Sequence, residues 1–311
     1  MQRSAKLLKK TIMALTLSVL ILLTFAEFAS IVDANWMNEP LPKIYIKSDG
    51  NIEPSTAPIQ RNGNTYSLSD NIENHEIVVQ CNNVVIDGNN FTLQGRHATF
   101  DQAISIERRN NQNITIMNFV IKQYYAGIRA SYLFNCIITK NTIDSINAID
   151  ISPNCSSNQI TYNTLIGSER GISMRIWGSA NTVMANTLIG STNGTGIRIW
   201  GAANAIIANT IYNYGSSVDF YKGENNTVSG NVLISTSEIL TNEATGTILK
   251  NNTAYDGTLN LPIPKPTSAA MSDNWLNSSY YIMVIGIVLV VAFSVCLLFF
   301  RKHGNNHAYS S

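Results

Sequence analysis

A stretch that occurs twice in nearly the same form decides the fold of this chain. Residues 175–190 read RIWGSANTVMANTLIG, and residues 198–213 read RIWGAANAIIANTIYN. The match extends along the chain when segments are aligned on an asparagine, with successive spacings of 22, 23, 23 and 22 in sequence number. The aligned positions are Asn141, Asn163, Asn186, Asn209 and Asn231. A fixed period of this size is typical of a solenoid, in which each repeat packs on the next.

The content of each repeat indicates which solenoid this is. Every unit has about three short apolar triplets, mostly of isoleucine and valine, separated by asparagine, glycine and serine. No ten-residue stretch has helical periodicity, and the L-x-x-L-x-L pattern of leucine-rich repeats does not fit. Three strands and three turns per repeat make one coil of a parallel β-helix. We therefore predict an all-β solenoid of about 7–8 coils, each one repeat long.

The asparagine column suggests how the coils are held together. Asparagine adopts the left-handed conformation of turns at low cost. Stacked in register, each side-chain amide can donate to the asparagine on the next coil and satisfy buried polar groups. The predicted structural ladder comprises Asn118, Asn141, Asn163, Asn186, Asn209 and Asn231. Cys136 occupies a slot in a second asparagine column, where we interpret it as a buried filler; a Cys136–Cys155 disulfide is left open.

The chain ends predict targeting and anchoring segments. Residues 1–34 have a basic start, an apolar run and a small-residue exit, which predicts a signal peptide cleaved after Ala34, with an uncleaved anchor as the alternative. Residues 280–300 are long and apolar enough to cross a membrane, and Arg301 and Lys302 follow. The sequence thus predicts a single-pass protein of the cell membrane, with the β-helix outside and residues 301–311 in the cytoplasm.

Between these segments we predict three regions. Residues 35–79 are expected to cap the first coil, residues 80–258 to form the β-helix, and residues 259–279, which contain three prolines in five positions, to form a stiff stalk. Seven N-x-S/T sequons are candidate glycosylation sites. They are Asn90, Asn113, Asn154, Asn193, Asn225, Asn251 and Asn277.

Composition limits the classes of function. Only 13% of the 311 residues are charged and the net charge is +1, so no nucleic-acid partner is expected. The four cysteines form no CxxC pair and the four histidines are scattered, which argues against a zinc site of the usual spacing. We expect neither a metal nor a cofactor.

A second repeated pattern, G-I-x-x, predicts a decorated outer face. Strand alternation turns its isoleucines inward and the residue between them outward. The outward position forms a charged row of Ser105, Arg129, Asp150, Arg175, Arg198 and Asp219. Two residues further on, an aromatic row comprises Glu107, Ser131, Ser152, Trp177, Trp200 and Tyr221.

These two rows leave three functions open. Sugar rings stack on exposed aromatic side chains, and their hydroxyls and carboxylates pair with Asp and Arg, so the first is binding of a polysaccharide or surface glycan without turnover. The second is a polysaccharide lyase or glycoside hydrolase, which requires converging carboxylates such as Asp101, Glu107 and Asp150. The third is a structural or adhesion protein, in which the charges pair with one another along the row.

The segment 44–95 and the repeats that follow it resemble a known family. IYIKSDGNIEPSTAPIQRNGNTYSLSDNIENHEIVVQCNNVVIDGNNFTLQG, followed by N-x-I-x-x-N-x-I repeats, is similar to the NosD-like right-handed parallel β-helix (PbH1-type) proteins, found on archaeal surfaces or secreted. The resemblance covers about residues 44–258 and implies a right-handed coil. It does not imply an activity, because this fold hosts lyases, glycosidases, epimerases and binding proteins. Copper binding is not supported, because residues 35–279 contain only His75 and His97 and no methionine cluster.

Overall fold

The computed structural model of the chain describes residues 39–96, 98, 100–106, 110–168, 170–234, 240–241 and 244–255, together with residues 16 and 18. The chain divides into two units, Pro40–Pro266 and a unit of Met1–Glu39 with Thr267–Ser311. Apart from residues 16 and 18, the predicted signal segment, stalk, membrane helix and tail lie outside the described residues. Within the described part, no helix is long and apolar enough to cross a membrane.

The first unit is built from short strands. In chain order they are β1 (Lys43–Ile46), β2 (Ile52–Glu53), β3 (Ile59–Asn62), β4 (Thr65–Leu68), β5 (Ile72–Glu73), β6 (Glu76–Val79), β7 (Val84–Asp87), β8 (Thr92–Gln94), β9 (Gln102–Ile106), β10 (Asn111–Gln112), β11 (Ile114–Met117), β12 (Val120–Ala130), β13 (Leu133–Phe134), β14 (Ile137–Thr139), β15 (Thr142–Ile151), β16 (Gln159–Thr161), β17 (Thr164–Gly167), β18 (Ile172–Ile176), β19 (Thr182–Met184), β20 (Thr187–Ile189), β21 (Thr195–Ile199), β22 (Ala205–Ile207), β23 (Thr210–Tyr212), β24 (Ser216–Phe220), β25 (Thr227–Ser229), β26 (Val232–Ile234), β27 (Leu240–Thr241), β28 (Ile248–Lys250) and β29 (Thr253–Tyr255).

Parallel pairing of every third segment gives a β-helix with three faces. The first face runs through β4, β7, β11, β14, β16, β19, β22, β25 and β28. The second face contains β5, β8, β17, β20, β23, β26 and β29, and the third contains β1, β6, β9, β18, β21, β24 and β27. β12 and β15 are long enough to cross from the second face to the third. The prediction of an all-β parallel β-helix of about eight coils is therefore confirmed.

The register follows the repeat seen in the sequence. Ile137 pairs with Gln159, and Gln159 pairs with Thr182, so each coil advances the chain by one repeat. The coil between β7 and β11 departs from this period, because Val84 pairs with Ile114 and the chain between them is longer than one repeat. Most of the extra residues lie between β8 and β11 and the rest between β7 and β8, outside the repeated stretch.

Parallel pairing begins earlier than the sequence places it. Thr65 of β4 already pairs in parallel with Val85, and β5 and β6 pair in parallel with β8 and β9, so residues 65–79 form a coil before residue 80. Antiparallel pairing is confined in the described residues to the segments before it, where β2 joins β1 and β3 joins β4. Such a change of direction interrupts a parallel ladder, although the shielding role proposed for residues 35–79 stays a prediction.

Branched apolar side chains fill the interior in matched rows. On the first face Ile138, Ile160, Val183, Ile206 and Val228 occupy the same position of successive coils, and each is fully buried. β-branched residues suit a pleated surface on which each side chain packs on its neighbour in the next strand. The solenoid therefore has one continuous core along its length.

An asparagine ladder runs beside this core. The backbone amide and Nδ2 of Asn163 both donate to Oδ1 of Asn186, at 2.9 and 3.0 Å, and Asn186 donates in the same way to Asn209. Each Nδ2 also reaches a carbonyl of the preceding coil, as Asn186 does with Ile160 at 2.8 Å. The full ladder comprises Asn141, Asn163, Asn186, Asn209, Asn231 and Asn252.

The inclusion of Asn118 in the ladder was wrong by one position. The ladder position on its coil is Phe119, whose backbone amide donates to Oδ1 of Asn141 at 3.0 Å. Asn118 instead has a φ of 58° and donates through Nδ2 to Asp87 at 3.0 Å. Asparagine serves both positions in this chain, so an alignment on asparagine alone does not separate them.

The left-handed turn residue is likewise not the ladder asparagine, as the sequence suggested, but the residue before it. Lys140, Tyr162, Ala185 and Ala208 have φ values between 52° and 56°, whereas no ladder asparagine has a positive φ. The ladder asparagines are therefore selected for their side-chain hydrogen bonds and not for the turn conformation.

A second ladder confirms the interpretation of Cys136. Its amide donates to Oδ1 of Asn158 at 2.9 Å, and its Sγ accepts from the amide of Ile114 at 3.1 Å, as an asparagine oxygen would. Cys136 and Cys155 are both free thiols, so the disulfide left open by the sequence does not form. Burial raises the pKa of Cys136 to about 11, which leaves the thiol protonated and unsuited to nucleophilic attack at neutral pH.

We predict that Asn186→Ala lowers the free energy of unfolding by about 3 kcal/mol. The change leaves the buried amide of Asn163 and the carbonyl of Ile160 without their partners, and each such group costs about 1–3 kcal/mol. Denaturant unfolding of the full chain in detergent, followed by circular dichroism, measures the change. Gln159→Ala, at an exposed strand position of the first face, is the control. An equal loss in both variants would contradict the role given to the ladder.

Candidate functional site

The charged row lies on the outer side of the third face of the β-helix, in the predicted register. Arg129 is the register partner of Ser105 on one side and of Asp150 on the other. Beyond Asp150 the row continues through Arg175, Arg198 and Asp219. Neighbouring strands lie about 4.8 Å apart, so these side chains form one line along the solenoid.

Two ion pairs form within the charged row. Nε of Arg198 lies 2.6 Å from Oδ2 of Asp219, and Nη1 of Arg175 lies 3.6 Å from Oδ2 of Asp150. Arg175 and Arg198 are adjacent like charges, and each pairs with the aspartate on its other side. Among the residues that the structure describes, Arg129 makes no ion pair. The pairing therefore leaves the row with one uncompensated positive charge at Arg129.

The row is less exposed than alternation alone suggests. Asp219 and Ser105 are buried, and the arginines and Asp150 are half-buried. Arg175 and Arg198 reach towards a further outward row closer to the second face. Arg175 donates to Oδ1 of Asn147 at 3.3 Å, and Arg198 donates to Oγ1 of Thr195 at 3.4 Å.

Sequence reasoning missed Asn147 and Thr195. Strict alternation turns Ala148 away from Ile149, but both of these residues belong to the buried core, because β15 bends where it passes from the second face to the third. The alternation of inward and outward side chains therefore shifts by one residue at this point. The signal in the sequence is the small residue that each coil carries at this position, Gly127, Ala148, Ser173, Gly196 and Ser217.

Several buried polar atoms on this face have no hydrogen-bond partner within the described part of the chain. They are Oδ1 of Asp150, Oδ1 of Asp219, Nε of Arg175, and Oγ of Ser105 and Ser216. An unsatisfied buried polar group costs about 1–3 kcal/mol, so native proteins rarely contain several together without a function. Carboxylate oxygens and a guanidinium on one face suit a ligand rich in hydroxyl groups.

The aromatic row stands beside the charged row. The amides of Trp177, Trp200 and Tyr221 each donate to the strand before, which places the three side chains in line. The rings of Trp177 and Trp200 are parallel within 3° and their centroids are 4.0 Å apart. Tyr221 is tilted by 44° at 5.6 Å from Trp200, and the Arg198 guanidinium lies 5.7 Å from the Trp200 ring.

This stacking changes how the aromatic row can bind. The two tryptophans press their faces on each other, so a ligand cannot lie flat across both, as an outward row of exposed rings would suggest. Trp200 is half-buried between Trp177 and Tyr221, whereas Trp177 is 39% exposed and Tyr221 is 53% exposed. The accessible aromatic surface consists of ring edges and the two ends of the row.

In the described part of the chain, Asp101, Asp150 and Asp219 do not form the pair of carboxylates that glycoside hydrolysis requires. Asp150 and Asp219 are three strand spacings apart, about 14 Å, beyond the separations of about 5–9.5 Å used by such enzymes. Asp101 is buried in an ion pair with Arg96 at 2.9 Å, and Glu107 lies outside the described residues. No group of three or more metal-ligating side chains occurs in the described part of the chain.

These observations define a parallel β-helix with one decorated outer face, and comparisons with known proteins add little. No protein-family model and no curated protein matches the chain. The structure is similar to a hyperthermoactive exopolygalacturonase from Thermotoga maritima, with 13% identity, a TM-score of 0.36, and coverage of 65% of this chain and 62% of that one. With TM-scores below 0.5, this likeness and the two that follow carry no argument.

Two other solved structures are also similar. One is the Streptococcus pneumoniae surface protein and adhesin PfbA, at 11% identity and a TM-score of 0.31, over 62% of this chain and 64% of that one. The other is a mutant tailspike protein of E. coli bacteriophage HK620 in complex with a pentasaccharide. Its identity is 11% and its TM-score 0.29, over 60% of this chain and 45% of that one. The match spans less than two thirds of the length of each of the three.

We predict that the free energy of unfolding of Asp150→Asn increases relative to that of the wild type as the pH rises. Burial raises the pKa of Asp150 above its usual 3.8, against the opposing effects of Arg175 and Arg129. The folded state therefore holds this proton more tightly, so the contribution of Asp150 to stability falls as the pH rises through the interval above 3.8. Denaturant unfolding of both proteins at pH 3.5 and pH 7 measures the difference. A difference that shrinks towards pH 7 would contradict the burial effect.

Proposed function

We propose that this protein is a cell-surface β-helix that binds carbohydrate on the outer side of its third face, without catalysing its conversion. The observation that carries the proposal is the aromatic row beside a charged row whose buried polar atoms lack partners in the described part of the chain. Aromatic rings receive the apolar faces of sugars, and carboxylates and guanidinium groups receive their hydroxyls and acidic groups.

Binding without turnover is supported by the separation of the carboxylates. Asp150 pairs with Arg175 and Asp219 pairs with Arg198, on the two strands between them, so three strand spacings separate the two carboxylates. A general acid and its partner must act on the same glycosidic bond. This arrangement favours ground-state binding over the lyase or hydrolase alternative.

The covering expected for a purely structural rod is not seen on this face within the described residues. That alternative predicts that a loop or a glycan hides both tryptophans, but Trp177 is 39% exposed. The ion pairs of Arg175 with Asp150 and of Arg198 with Asp219 agree with that alternative. Exposed aromatic side chains next to unpaired polar groups favour contact with another molecule. A polysaccharide or surface glycan fits both kinds of group at once.

Attachment to the cell surface is proposed from the sequence. The signal-like segment 1–34, the proline-rich segment 259–279 and the apolar segment 280–300 support a single-pass protein with its β-helix outside and residues 301–311 in the cytoplasm. The resemblance to NosD-like, PbH1-type surface proteins agrees with this proposal. Glycans on exposed sequons such as Asn154 and Asn225 are compatible with it.

We expect Trp177→Ala to weaken polysaccharide binding by at least about tenfold, or ~1.4 kcal/mol, because it removes the exposed end of the aromatic stack. Intrinsic fluorescence of the full chain in detergent, titrated with neutral and acidic polysaccharides, measures binding. Mass spectrometry of the same mixtures detects cleavage products.

The control is Tyr212→Ala, which removes a half-buried aromatic ring from the second face. Equal binding by both variants would move the site away from the aromatic row. Shortened or unsaturated products would show turnover and overturn the proposal of binding alone.

We expect removal of residues 280–311 to release the protein from membranes into the soluble fraction, because these residues contain the proposed anchor. Alkaline carbonate extraction of membranes from expressing cells compares the truncated and full chains. The mature N-terminus, read by mass spectrometry, is expected at Asn35. A truncated chain that stays in the membrane would assign anchoring to residues 1–34.

A further inference from the structure

Trp177 is the last aromatic side chain along the aromatic row in the direction of Ser152, and it is 39% exposed. Trp200 covers one face of the Trp177 ring at a centroid distance of 4.0 Å. On the other side the next row positions are Ser152 and Ser131, both half-buried, whose small side chains extend little from the sheet. Two strand spacings of about 4.8 Å lie beside the free ring face, which is room for one sugar ring standing parallel to the indole.

Polar groups line the same two strands. Asp150 and Arg129 stand two residues before Ser152 and Ser131, on the same outer face and in register with each other. Asp150 is half-buried, so the exposed part of its side chain can reach a ligand hydroxyl. Arg129 is half-buried and makes neither an ion pair nor a hydrogen bond within the described part of the chain.

The charge balance selects the kind of sugar. Asp150 and Asp219 are each paired with their own arginine, which leaves Arg129 as the uncompensated cation of the row among described residues. A guanidinium presents a planar set of donors that matches a carboxylate in two-point contact. A neutral sugar offers no charge to balance Arg129, whereas a sugar acid does.

We propose that Trp177, Ser152, Ser131, Arg129 and Asp150 form a subsite for one uronic-acid residue of an acidic polysaccharide. The sugar ring stacks on the free face of Trp177 above the two serines. Its carboxylate pairs with Arg129, and one of its hydroxyls donates to the carboxylate of Asp150. This assignment rests on the proposed carbohydrate-binding function and names the ligand class for it.

The test uses uronate polymers, each compared with its own methyl ester. Polygalacturonate, polymannuronate and hyaluronan are titrated into the full chain in detergent beside their fully esterified forms, which keep the backbone and lose the charge. We expect one acid form to bind at least about tenfold more tightly than its ester, since the ester removes the partner of Arg129.

Two variants locate the preference at this subsite. Arg129→Gln is expected to abolish the preference for acid over ester, and Ser152→Trp is expected to block binding by filling the space beside Trp177. Lys222→Gln removes an equal charge from an exposed residue next to Tyr221 and is expected to keep the preference. Circular dichroism and denaturant unfolding show that each variant is folded.

The outcomes separate this inference from the proposed function. Equal binding of acid and ester overturns the uronate subsite and leaves carbohydrate binding intact. A preference for the acid that survives both Arg129→Gln and Ser152→Trp places the anion elsewhere and also overturns the inference. Failure to bind any polysaccharide overturns the inference and the proposed function together.

Discussion

Hydrogen bonds between asparagine side chains on successive coils are the interaction on which the rest of this structure depends. At each turn of a β-helix the backbone enters the interior, where its amides and carbonyls have no water to bond. Asn163 and Asn186 satisfy these groups and each other in the same geometry, coil after coil. The ladder holds each coil at one position relative to the next, so it also sets the register of the outer faces.

This register decides which side chains are neighbours on the outer face. Strands about 4.8 Å apart bring equivalent side chains close to the distance at which aromatic rings stack, so Trp177 and Trp200 pack on each other. The same spacing places Arg175 beside Arg198, and each is balanced by the aspartate on its other side. In such a regular stack of coils, ring faces and charges stay available for other contacts only where a row ends or its charge pairing is incomplete.

Buried charges on the outer face lower the stability of the fold. Burial raises the pKa of Asp150, so its ionised form is held at a free-energy cost that the arginines offset only in part. Polar atoms of Asp150, Arg175 and Asp219 that have no partner within the described chain add to that cost. Costs of this kind concentrate at functional sites, because a ligand can supply the partners that the fold leaves out.

Much of the charged row could be predicted from the sequence, because a strict period aligns residues without knowledge of their contacts. Arg198 and Asp219 were placed on adjacent strands by counting alone, and the structure places them there. Asn118 was misplaced because asparagine serves two different positions of the turn. The face-to-face contact of Trp177 and Trp200 could not be predicted, because it depends on side-chain rotamers that a repeat pattern does not contain.

The sequence by itself determined the solenoid, its period and the residues of the charged and aromatic rows, because a repeat of nearly constant length with alternating apolar positions is compatible with few other folds. Only the tertiary structure decided which faces and charges of those rows remain available. Arg129 stays unpaired in the described residues, and Trp177 keeps one face free. Both results arise from neighbours on adjacent coils, whose side-chain orientations are set by packing and electrostatics in three dimensions and not by position along the chain.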